Sequence, residues 1–372
     1  MEETLLGGLS PRDFLRKHWQ KRPLVVRKAL PAGIGSVSRA ALASLAARDT
    51  VESRLVMRKG GRWQLAHGPF PRTALSRMPA RNWSLLVQGA NHHLPDAERL
   101  LRRFSFIPQA RLDDVMASYA APGGGVGPHW DSYDVFLVQT AGHRVWNLCR
   151  PRAFSAVPGA PLRLIDGFEA EEEYLLEPGD LLYLPPGWGH DGIALDESIT
   201  CSVGFRAPAG AELCAGFLDF LADRGFADST WRDPELRPAA RAAEISTALA
   251  RKAGAMIERV RWTRRDVDEF IGIWLTTPKP HVSFSRPPRV PGARTFARRL
   301  AAARLVLDPR SLMLHRGSRI YLNGEPLQVS GRFAQRLKVL ADARSAPGRG
   351  FCDARALSLL HDWYRAGFVH LE

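Results

Sequence analysis

The 372-residue sequence contains only four cysteines, and their spacing excludes the usual cysteine-based sites. Cys149, Cys201, Cys214 and Cys352 are scattered along the chain, and no two of them form a Cys-x-x-Cys pair. Neither a zinc knuckle nor a disulfide framework is therefore indicated. Isolated cysteines of this kind are expected to be small buried apolar residues in a reducing compartment.

Long apolar runs are also missing from the sequence. No stretch approaches the roughly 18 apolar residues that a membrane-spanning helix requires. The first residues, Met1-Glu-Glu-Thr4, lack the basic and apolar regions of a signal peptide. We therefore expect a cytoplasmic protein with no membrane contact. The length exceeds the usual size of one domain, so two or three domains with separate cores are expected.

Acidic residues are fewer than basic ones, 38 against 52, which gives a formal net charge of +14. The excess is unevenly distributed. Residues 1–205 contain 24 Lys and Arg against 21 Asp and Glu, whereas residues 206–372 contain 28 against 17, a net charge of +11. A basic C-terminal half favours contact with a polyanion such as RNA. An arginine-rich composition without such a partner would give the same counts.

Strand-like patterns dominate the first 205 residues, and a few helices interrupt them. Ser10-Pro11 is an N-cap followed by proline and begins a short helix. Residues 36–48 and 95–103 predict two more helices, and residues 51–87 predict a β-meander. Seven further strands are predicted: Arg22–Val26, Val115–Tyr119, Tyr133–Thr140, His143–Leu148, Glu173–Leu176, Asp180–Leu184 and Ser198–Phe205. Their even spacing, with breaks at Gly and Pro, favours a sandwich or a barrel.

Helical patterns replace the strands after residue 206. Three helices are predicted, Ala211–Arg224, Ala239–Arg259 and Arg264–Leu275, each with apolar residues at spacings of three and four. The second has an apolar stripe that packs either on the barrel or against a second copy of the chain. The pattern alone does not choose between these two arrangements.

A proline-rich stretch separates these helices from the end of the chain. Residues 276–291 contain five prolines, which marks a linker or an extended edge. Beyond it, Asn323-Gly324 joins two short strands in a favoured hairpin, and two helices follow. This mixed α/β unit is of winged-helix type, a fold that often binds nucleic acid. The predicted divisions are thus residues 1–205, 206–278 and 279–372.

A metal site is predicted where a glycine-rich turn, Gly123–Pro128, leads into an apolar stretch. His129 and Asp131 follow this turn, and side chains at i and i+2 of a strand point to the same face. His-x-Asp alone is weak evidence, because roughly half an occurrence is expected by chance in this composition. His190, next to another Pro- and Gly-rich turn, adds a second imidazole. Two imidazoles and one carboxylate form the ligand set of non-haem Fe(II) oxygenases.

Other interpretations of these histidines remain open at this point. His143 and the pair His92-His93 are alternative third ligands, although their positions fit the pattern less well. In an interpretation without a metal, His129 caps a turn and His190 is an ordinary surface residue.

Iron enzymes of this kind commonly use 2-oxoglutarate, whose keto-acid end chelates the metal. The far carboxylate of that molecule needs a buried cation, and arginine offers a bidentate fork for it. Arg144 is the best candidate, because it begins the strand that follows the His-x-Asp segment. The hydroxyls of Ser118 and Thr200 are candidates for further hydrogen bonds to this cosubstrate.

Four segments together resemble one protein family: Pro122–Phe136, Arg144–Trp146, Pro178–His190 and Ser202–Pro208. They are similar to the bacterial JmjC-type, cupin-like ribosomal oxygenases. That family hydroxylates an arginine of large-subunit ribosomal protein L-sixteen with Fe(II), 2-oxoglutarate and dioxygen. The resemblance extends over the whole chain, including an N-terminal segment at Phe14–Arg27, a helical dimerisation region and a winged-helix end. It implies a double-stranded β-helix (jelly-roll) catalytic domain and a homodimer.

The resemblance also implies a role for each matched residue. It makes His129, Asp131 and His190 the iron ligands and Arg144 the clamp for the far carboxylate of 2-oxoglutarate. Ser118 matches a position that contacts the cosubstrate. Thr200 stands where we expect asparagine in close relatives. Trp130 stands where we expect leucine, and we predict that it faces away from the metal.

A basic substrate requires acidic groups near the site, and the sequence offers one acidic run. Seven carboxylates lie between the two metal segments and predict an acidic rim or a solvated loop face: Asp166, Glu169, Glu171, Glu172, Glu173, Glu177 and Asp180. Two other functions remain open. One is a JmjC-like hydroxylase of another protein or of tRNA. The other is a non-catalytic cupin-fold protein that binds RNA or assists assembly.

Overall fold

The first 205 residues form two antiparallel β-sheets with helices on one side. The structure is a computed structural model that describes residues 5–31, 33–225, 230–234, 236–238, 241–351 and 353–372. The elements of the first part are α1 (Pro11–Lys17), β1 (Leu24–Val26), α2 (Arg39–Ala46), β2 (Ser53–Lys59), β3 (Arg62–His67), α3 (Arg72–Ser76), β4 (Trp83–Val87), α4 (Pro95–Arg102), β5 (Leu112–Ala120), β6 (His129–Trp130), β7 (Val135–Ala141), β8 (Arg144–Cys149), β9 (Glu172–Leu176), β10 (Leu181–Leu184), β11 (Gly189–Ala194) and β12 (Ser198–Phe205).

The two sheets pack face to face. Eight strands are ordered β1-β10-β7-β12-β5-β4-β2-β3, and four are ordered β6-β11-β8-β9. Val135 and Leu137 of β7 share one apolar cluster with Trp146 and Leu148 of β8, so this cluster joins the inner faces of both sheets. This architecture confirms the predicted double-stranded β-helix.

The outer face of the large sheet is covered by the N-terminal helices. Phe136 of β7 alternates with the inward-facing residues, as strand geometry requires, and points to the other side. There its ring lies 5.5 Å from that of Phe14 on α1 and 4.8 Å from that of Tyr183 on β10. Aromatic burial on this side fixes the large sheet to the helices and leaves its inner face to form the site.

The second part begins with helices and ends in a unit with its own core. Its elements are α5 (Gly210–Ala222), α6 (Thr247–Ile257), α7 (Arg264–Thr276), α8 (Ala293–Ala302), β13 (Arg304–Leu307), β14 (Met313–Arg316), β15 (Arg319–Leu322), β16 (Glu325–Gln328), α9 (Gly331–Ala343), β17 (Ser345–Pro347), α10 (Ala354–Ala366) and β18 (Val369–Leu371). Two three-stranded sheets, β17-β13-β18 and β14-β15-β16, pack with α8, α9 and α10 around a separate apolar cluster. This is the predicted winged-helix type of unit.

Local turn chemistry agrees with several predicted boundaries. The Ser10 hydroxyl caps α1 by accepting a hydrogen bond from the Asp13 amide, as the Ser-Pro pair predicts. Asn323 and Gly324 have φ angles of 52° and 88°, the left-handed values that a tight two-residue hairpin between β15 and β16 requires.

Four predictions need correction. The helix predicted over 239–259 begins only at Thr247, after the N-cap Ser246; residues 239 and 240 lie outside the described residues. The β-meander contains the short helix α3. The strand expected to hold both His129 and Asp131 ends at Trp130, and β11 was not predicted, because its sequence follows a Pro- and Gly-rich turn. Cys214 is exposed, whereas Cys149 and Cys201 are buried as expected, and Cys352 lies outside the described residues. Within the described ranges, every helix is too short or too polar to cross a membrane.

Candidate metal and cosubstrate site

Three predicted ligands meet where the strands β6 and β11 lie side by side. His129 on β6 pairs directly with His190 on β11, and their ring centroids are 4.2 Å apart. Asp131 follows β6, and its Oδ2 lies 3.7 Å from His190 Nε2. One ligand atom from each of the three residues lies within 4.8 Å of the others. The convergence predicted from the i and i+2 spacing is therefore present.

Backbone carbonyls orient both imidazoles. His129 Nδ1 lies 2.9 Å from the Gly127 carbonyl oxygen, and His190 Nδ1 lies 3.0 Å from that of Trp188. A carbonyl can only accept, so each Nδ1 carries the proton and each Nε2 keeps its lone pair for a metal. Burial lowers the pKa of His190 to about 4, with a further contribution from His129, so its ring is neutral at pH 7. The donor set therefore fits a divalent metal.

Arg144 lies buried in the same cavity. The cavity has a volume of about 480 Å³ and is lined by His129, Asp131 and His190 as well as by Arg144. Only 5% of Arg144 is exposed. Its Nη2 reaches the Ser198 hydroxyl at 3.4 Å, and its Nε has no hydrogen-bond partner among the described residues. Burial lowers the pKa of this guanidinium to about 10. A buried cation whose N–H groups are only partly paired fits an anionic ligand.

The two predicted hydroxyl contacts have different environments. Ser118 lines the cavity, and its hydroxyl donates to the Thr200 carbonyl at 3.3 Å. Thr200 is on the neighbouring strand β12, but it is not among the lining residues. Its hydroxyl donates to Gln139 Oε1 at 2.8 Å. This engagement argues against the predicted contact between Thr200 and the cosubstrate.

The alternative histidines lie elsewhere. His143 Nδ1 lies 2.6 Å from Asp196 Oδ2 in a partly exposed pair. That carboxylate raises the pKa of His143, which favours a cation rather than a metal ligand. Burial lowers the pKa values of His92 and His93 to about 4, but neither residue lines the cavity. Of the candidates for the third position, His190 is the one that lies beside His129 and Asp131 in the part of the chain that the structure describes.

Known proteins are similar to this chain in sequence and in fold. A family model described as a JmjC domain matches residues 99–213, and one described as a ROXA-like winged helix matches residues 259–370. The Escherichia coli ribosomal protein uL16 3-hydroxylase is 36% identical over 345 residues, which cover 92% of this chain and 91% of that protein. The chain belongs to the ribosomal oxygenase family. A probable ribosomal oxygenase of Haemophilus influenzae is 36% identical over 232 residues, 61% of this chain and 55% of that protein.

Solved structures of a family member support the same relationship. The Escherichia coli ribosomal oxygenase YcfD in complex with cobalt and 2-oxoglutarate has a TM-score of 0.82, with 34% identity and 98% coverage of both chains. The complex with cobalt and succinic acid gives the same values. These likenesses cover the barrel, the helical part and the winged-helix unit together.

In this ribosomal oxygenase, Trp130 is among the residues that border the cavity. It lies between His129 and Asp131, and strand alternation gives its side chain the opposite direction to theirs. The Arg163 guanidinium lies 4.6 Å from the Trp130 ring centroid, and the Phe154 ring lies 5.3 Å away. Both partners come from the long loop between β8 and β9. Trp130 therefore attaches this loop to one wall of the cavity.

The main residues that sequence reasoning missed in this family member are two adjacent aspartates on β5. The register between β5 and β12 shifts by one residue between the pairs Val203–Val115 and Phe205–Leu112, which is a β-bulge. A bulge re-aims side chains, and both Asp113 and Asp114 line the cavity. The predicted strand begins only at Val115, whereas β5 begins at Leu112, so no pattern in the sequence indicates that the two aspartates belong to a bulged strand.

Of the two interpretations of the acidic run, the structure fits a solvated face rather than a rim of this cavity, because most of the run's carboxylates are exposed. None of the seven carboxylates of that run lines the cavity. Glu172 and Glu173 lie on β9, the edge strand of the small sheet at the far end from β6. Asp180 is buried and pairs with Arg27 Nη1 at 2.6 Å. The acidic side chains that line the cavity are Asp113, Asp114 and the metal-site residue Asp131.

Proposed function

We propose that this protein is an Fe(II)- and 2-oxoglutarate-dependent oxygenase that hydroxylates an arginine side chain of large-subunit ribosomal protein uL16. The observation that carries the proposal is the buried, incompletely partnered Arg144 in the same cavity as His129, Asp131 and His190. A dicarboxylate that binds a metal at one end and a guanidinium at the other would satisfy both features. The known complexes of YcfD contain cobalt and either 2-oxoglutarate or succinic acid.

Each residue of the site has a separate task in this proposal. His129 and His190 would hold Fe(II) through Nε2, and Asp131 through its carboxylate. When bound, iron with 2-oxoglutarate and dioxygen supplies the oxidation that places one oxygen atom on a C–H bond and releases succinate and carbon dioxide. Arg144 orients the cosubstrate by pairing with its far carboxylate. Trp146, also in the lining and 5.9 Å from the His190 ring centroid, excludes water from one wall.

The cavity also suits a cationic side chain as substrate. Asp114 lines it and is 4% exposed. Burial raises the pKa of this carboxyl, and a cation placed next to it would offset the cost of burial and stabilise the ionised carboxylate. Met116 and Tyr133 add an apolar wall and an aromatic ring. A guanidinium stem packs on such surfaces while its head pairs with a carboxylate. The Escherichia coli relative is named for the 3-hydroxylation of uL16.

The decisive experiment uses recombinant uL16 or a peptide that contains its arginine. With Fe(II), 2-oxoglutarate and dioxygen we expect succinate and a product heavier by one oxygen atom, which tandem mass spectrometry places on an arginine. D131A and H190A should abolish both turnover and Co(II) binding measured by calorimetry. Continued turnover in the D131A/H190A double variant would remove the ligand assignment, and modification of a different residue type would remove the arginine assignment.

A homodimer is part of the proposal, and it is supported by unburied apolar side chains in the helical part. No residue of α6 that the structure describes is buried. Ile257 at its end is 72% exposed, and Leu218 on α5 is 60% exposed. Apolar exposure of this kind is typical of an interaction surface. Light scattering after size exclusion should give twice the mass of one chain, and L218E/I257E should give a monomer.

RNA contact through the C-terminal half is likewise proposed. Residues 206–372 have a net charge of +11. Exposed arginines also lie along the linker and on α8, namely Arg286, Arg289, Arg294, Arg298 and Arg299. Such a cluster fits a phosphate backbone near a ribosomal substrate, which would place the enzyme in the cytoplasm. Affinity for ribosomal RNA should fall steeply with salt concentration, and R294E/R298E should weaken it.

A further inference from the structure

The two aspartates of the β5 bulge have opposite electrostatic environments. The Asp113 carboxylate pairs with Lys279 Nζ at 2.8 Å and lies 3.4 Å from Arg206 Nε. Asp114 accepts hydrogen bonds only from the neutral Gln88 amide, at 3.0 and 2.9 Å, as far as the described residues show. The first carboxylate is therefore already neutralised by direct contact. Among the described residues its neighbour has no cation in direct contact, and Lys279 and His281 act on it only at longer range.

The cations on Asp113 come from outside the barrel. Lys279 lies in the segment between α7 and α8, which leads to the winged-helix unit. Arg206 directly follows β12, and its Nη1 donates to the Leu275 carbonyl at 2.8 Å, near the end of α7. The end of α7, the linker and the β5 bulge are thus held together at one wall of the cavity.

Neighbouring like charges in a buried site raise the free energy of ionising both. Without Lys279, the charge of Asp113 would oppose that of Asp114, and Asp113 would also compete for an incoming cation. With Lys279 in place, Asp114 is the one carboxylate of the pair without a salt bridge in the described part of the chain. The Gln88 amide fixes its orientation by hydrogen bonds. Gln88 is itself fixed, because its Oε1 accepts from Arg54 at 3.4 Å.

We propose that Lys279 is a positioning residue for substrate recognition: its salt bridge occupies Asp113 and so makes Asp114 the sole anionic receptor for the substrate's cationic side chain. This inference rests on the proposed arginine hydroxylation. It further means that the segment leading to the winged-helix unit contributes to substrate affinity. Cosubstrate binding depends on Arg144, on the other side of the cavity, and is independent of this salt bridge.

The test compares K279M with K279R and with K338M, a matched control on α9. Steady-state rates are measured with the uL16 peptide and with 2-oxoglutarate as the varied substrates. We expect K279M to raise the peptide KM by about three- to tenfold, as for loss of a partly exposed charge partner. Its kcat and its KM for 2-oxoglutarate should stay within about twofold of the wild-type values. A twofold change corresponds to a free-energy difference of roughly 0.4 kcal/mol. K279R should restore the peptide KM, and K338M should leave all values unchanged.

A double variant separates charge compensation from a general packing effect. In D113N/K279M the charge that Lys279 offsets is gone, so the peptide KM should fall below that of K279M. An unchanged peptide KM in K279M overturns the proposal. An equal rise in the KM for the peptide and the KM for 2-oxoglutarate also overturns it. The same holds if D113N does not lower the raised peptide KM of K279M.

A ligand-binding measurement keeps the proposal testable if uL16 proves not to be the substrate. Binding of N-acetylarginine amide is followed by calorimetry for the wild type, K279M and K279R. Weaker binding to K279M alone supports the role of Lys279 even when the uL16 peptide is not hydroxylated, which would count against the proposed function only. Equal binding to all three proteins overturns the inference.

Discussion

At the scale of single residues, the site depends on how backbone groups fix the metal-binding side chains. The carbonyls of Gly127 and Trp188 each lie two residues before the histidine that they orient. The Gly- and Pro-rich turns before His129 and His190 therefore fix the tautomers of the ligands as well as their positions. The residue types and their roles could be predicted from motif context. Asp114 and Gln88 could not, because their recognition depends on a bulge and on a neighbour from another strand.

Arg144 provides the sharpest prediction at this scale. R144M should raise the Kd for 2-oxoglutarate at least about thirtyfold, because the far carboxylate would lose its only buried cation, worth roughly 2 kcal/mol or more. R144K should bind 2-oxoglutarate more tightly than R144M does and less tightly than the wild type does. The reason is that lysine keeps the positive charge but lacks the planar fork of arginine. Calorimetric titration of the Co(II)-loaded proteins measures these affinities directly. Equal affinities of R144M and the wild type would remove Arg144 from the cosubstrate site.

At the scale of elements, strands with regular apolar alternation were predicted well, and two strands next to Gly- and Pro-rich turns were not. Ser198–Phe205 was predicted with the observed bounds. In this segment every second residue is apolar, and the residues between them are small and polar or glycine. The strands β6 and β11, which hold two of the metal-site residues, contain two and six residues and are surrounded by Gly and Pro. Pairing with a neighbour creates these strands, and local propensity does not reveal such pairing. The β5 bulge is invisible to the sequence for the same reason.

The turn before β6 allows a prediction about element geometry. A Cβ on Gly124 would meet the backbone carbonyl oxygens of Trp83 and Ala121. The Gly124 carbonyl also accepts a hydrogen bond from the Ala194 amide at the end of β11. G124A should therefore displace β6 relative to β11. We expect a loss of stability of about 1–3 kcal/mol and weaker Co(II) binding, measured by urea unfolding and calorimetry.

Gly254 offers a matched control for that substitution. It lies within α6, and a Cβ there meets no atom within 4 Å. G254A should leave Co(II) affinity unchanged and should stabilise the helix by up to about 1 kcal/mol, because alanine has the higher helix propensity. Similar losses of metal affinity in G124A and G254A would show that the turn does not position the ligands.

At the scale of the whole molecule, polar contacts join the barrel to the C-terminal unit. The Gln109 amide, just before β5, donates to the carbonyls of Ala341 and Asp342 at 3.2 and 3.0 Å. Arg344 is 7% exposed, and its Nε lies 3.5 Å from Oε1 of Glu98 on α4. Its Nη2 donates to the Asp308 carbonyl oxygen at 2.6 Å. The presence of two folded parts could be predicted from composition. Their mutual arrangement could not, because it depends on individual long side chains that reach across.

Asp308, whose backbone carbonyl accepts a hydrogen bond from Arg344, allows a prediction of how stability depends on pH. Burial opposes ionisation of its carboxyl, but hydrogen bonds from Arg310 at 2.7 and 2.8 Å and from His370 at 2.7 Å outweigh burial and lower its pKa. A depressed carboxyl pKa stabilises the fold above the ordinary value of about 3.9. That contribution is lost as the pH falls through the lowered value.

D308N should therefore destabilise the protein by about 3 kcal/mol at pH 7, because it leaves Arg310 and His370 without their buried partner. The difference from the wild type should shrink as the pH falls below about 4, because the Asp308 carboxyl of the unfolded chain then takes up protons while that of the folded chain is still charged. D362N is the control, since Asp362 pairs with Arg365 at 3.6 Å on the exposed face of α10 and such pairs contribute little. Urea unfolding at several pH values measures all three proteins. A D308N deficit that stays constant from pH 7 to pH 3 would show that packing, rather than the charge of Asp308, accounts for the loss of stability.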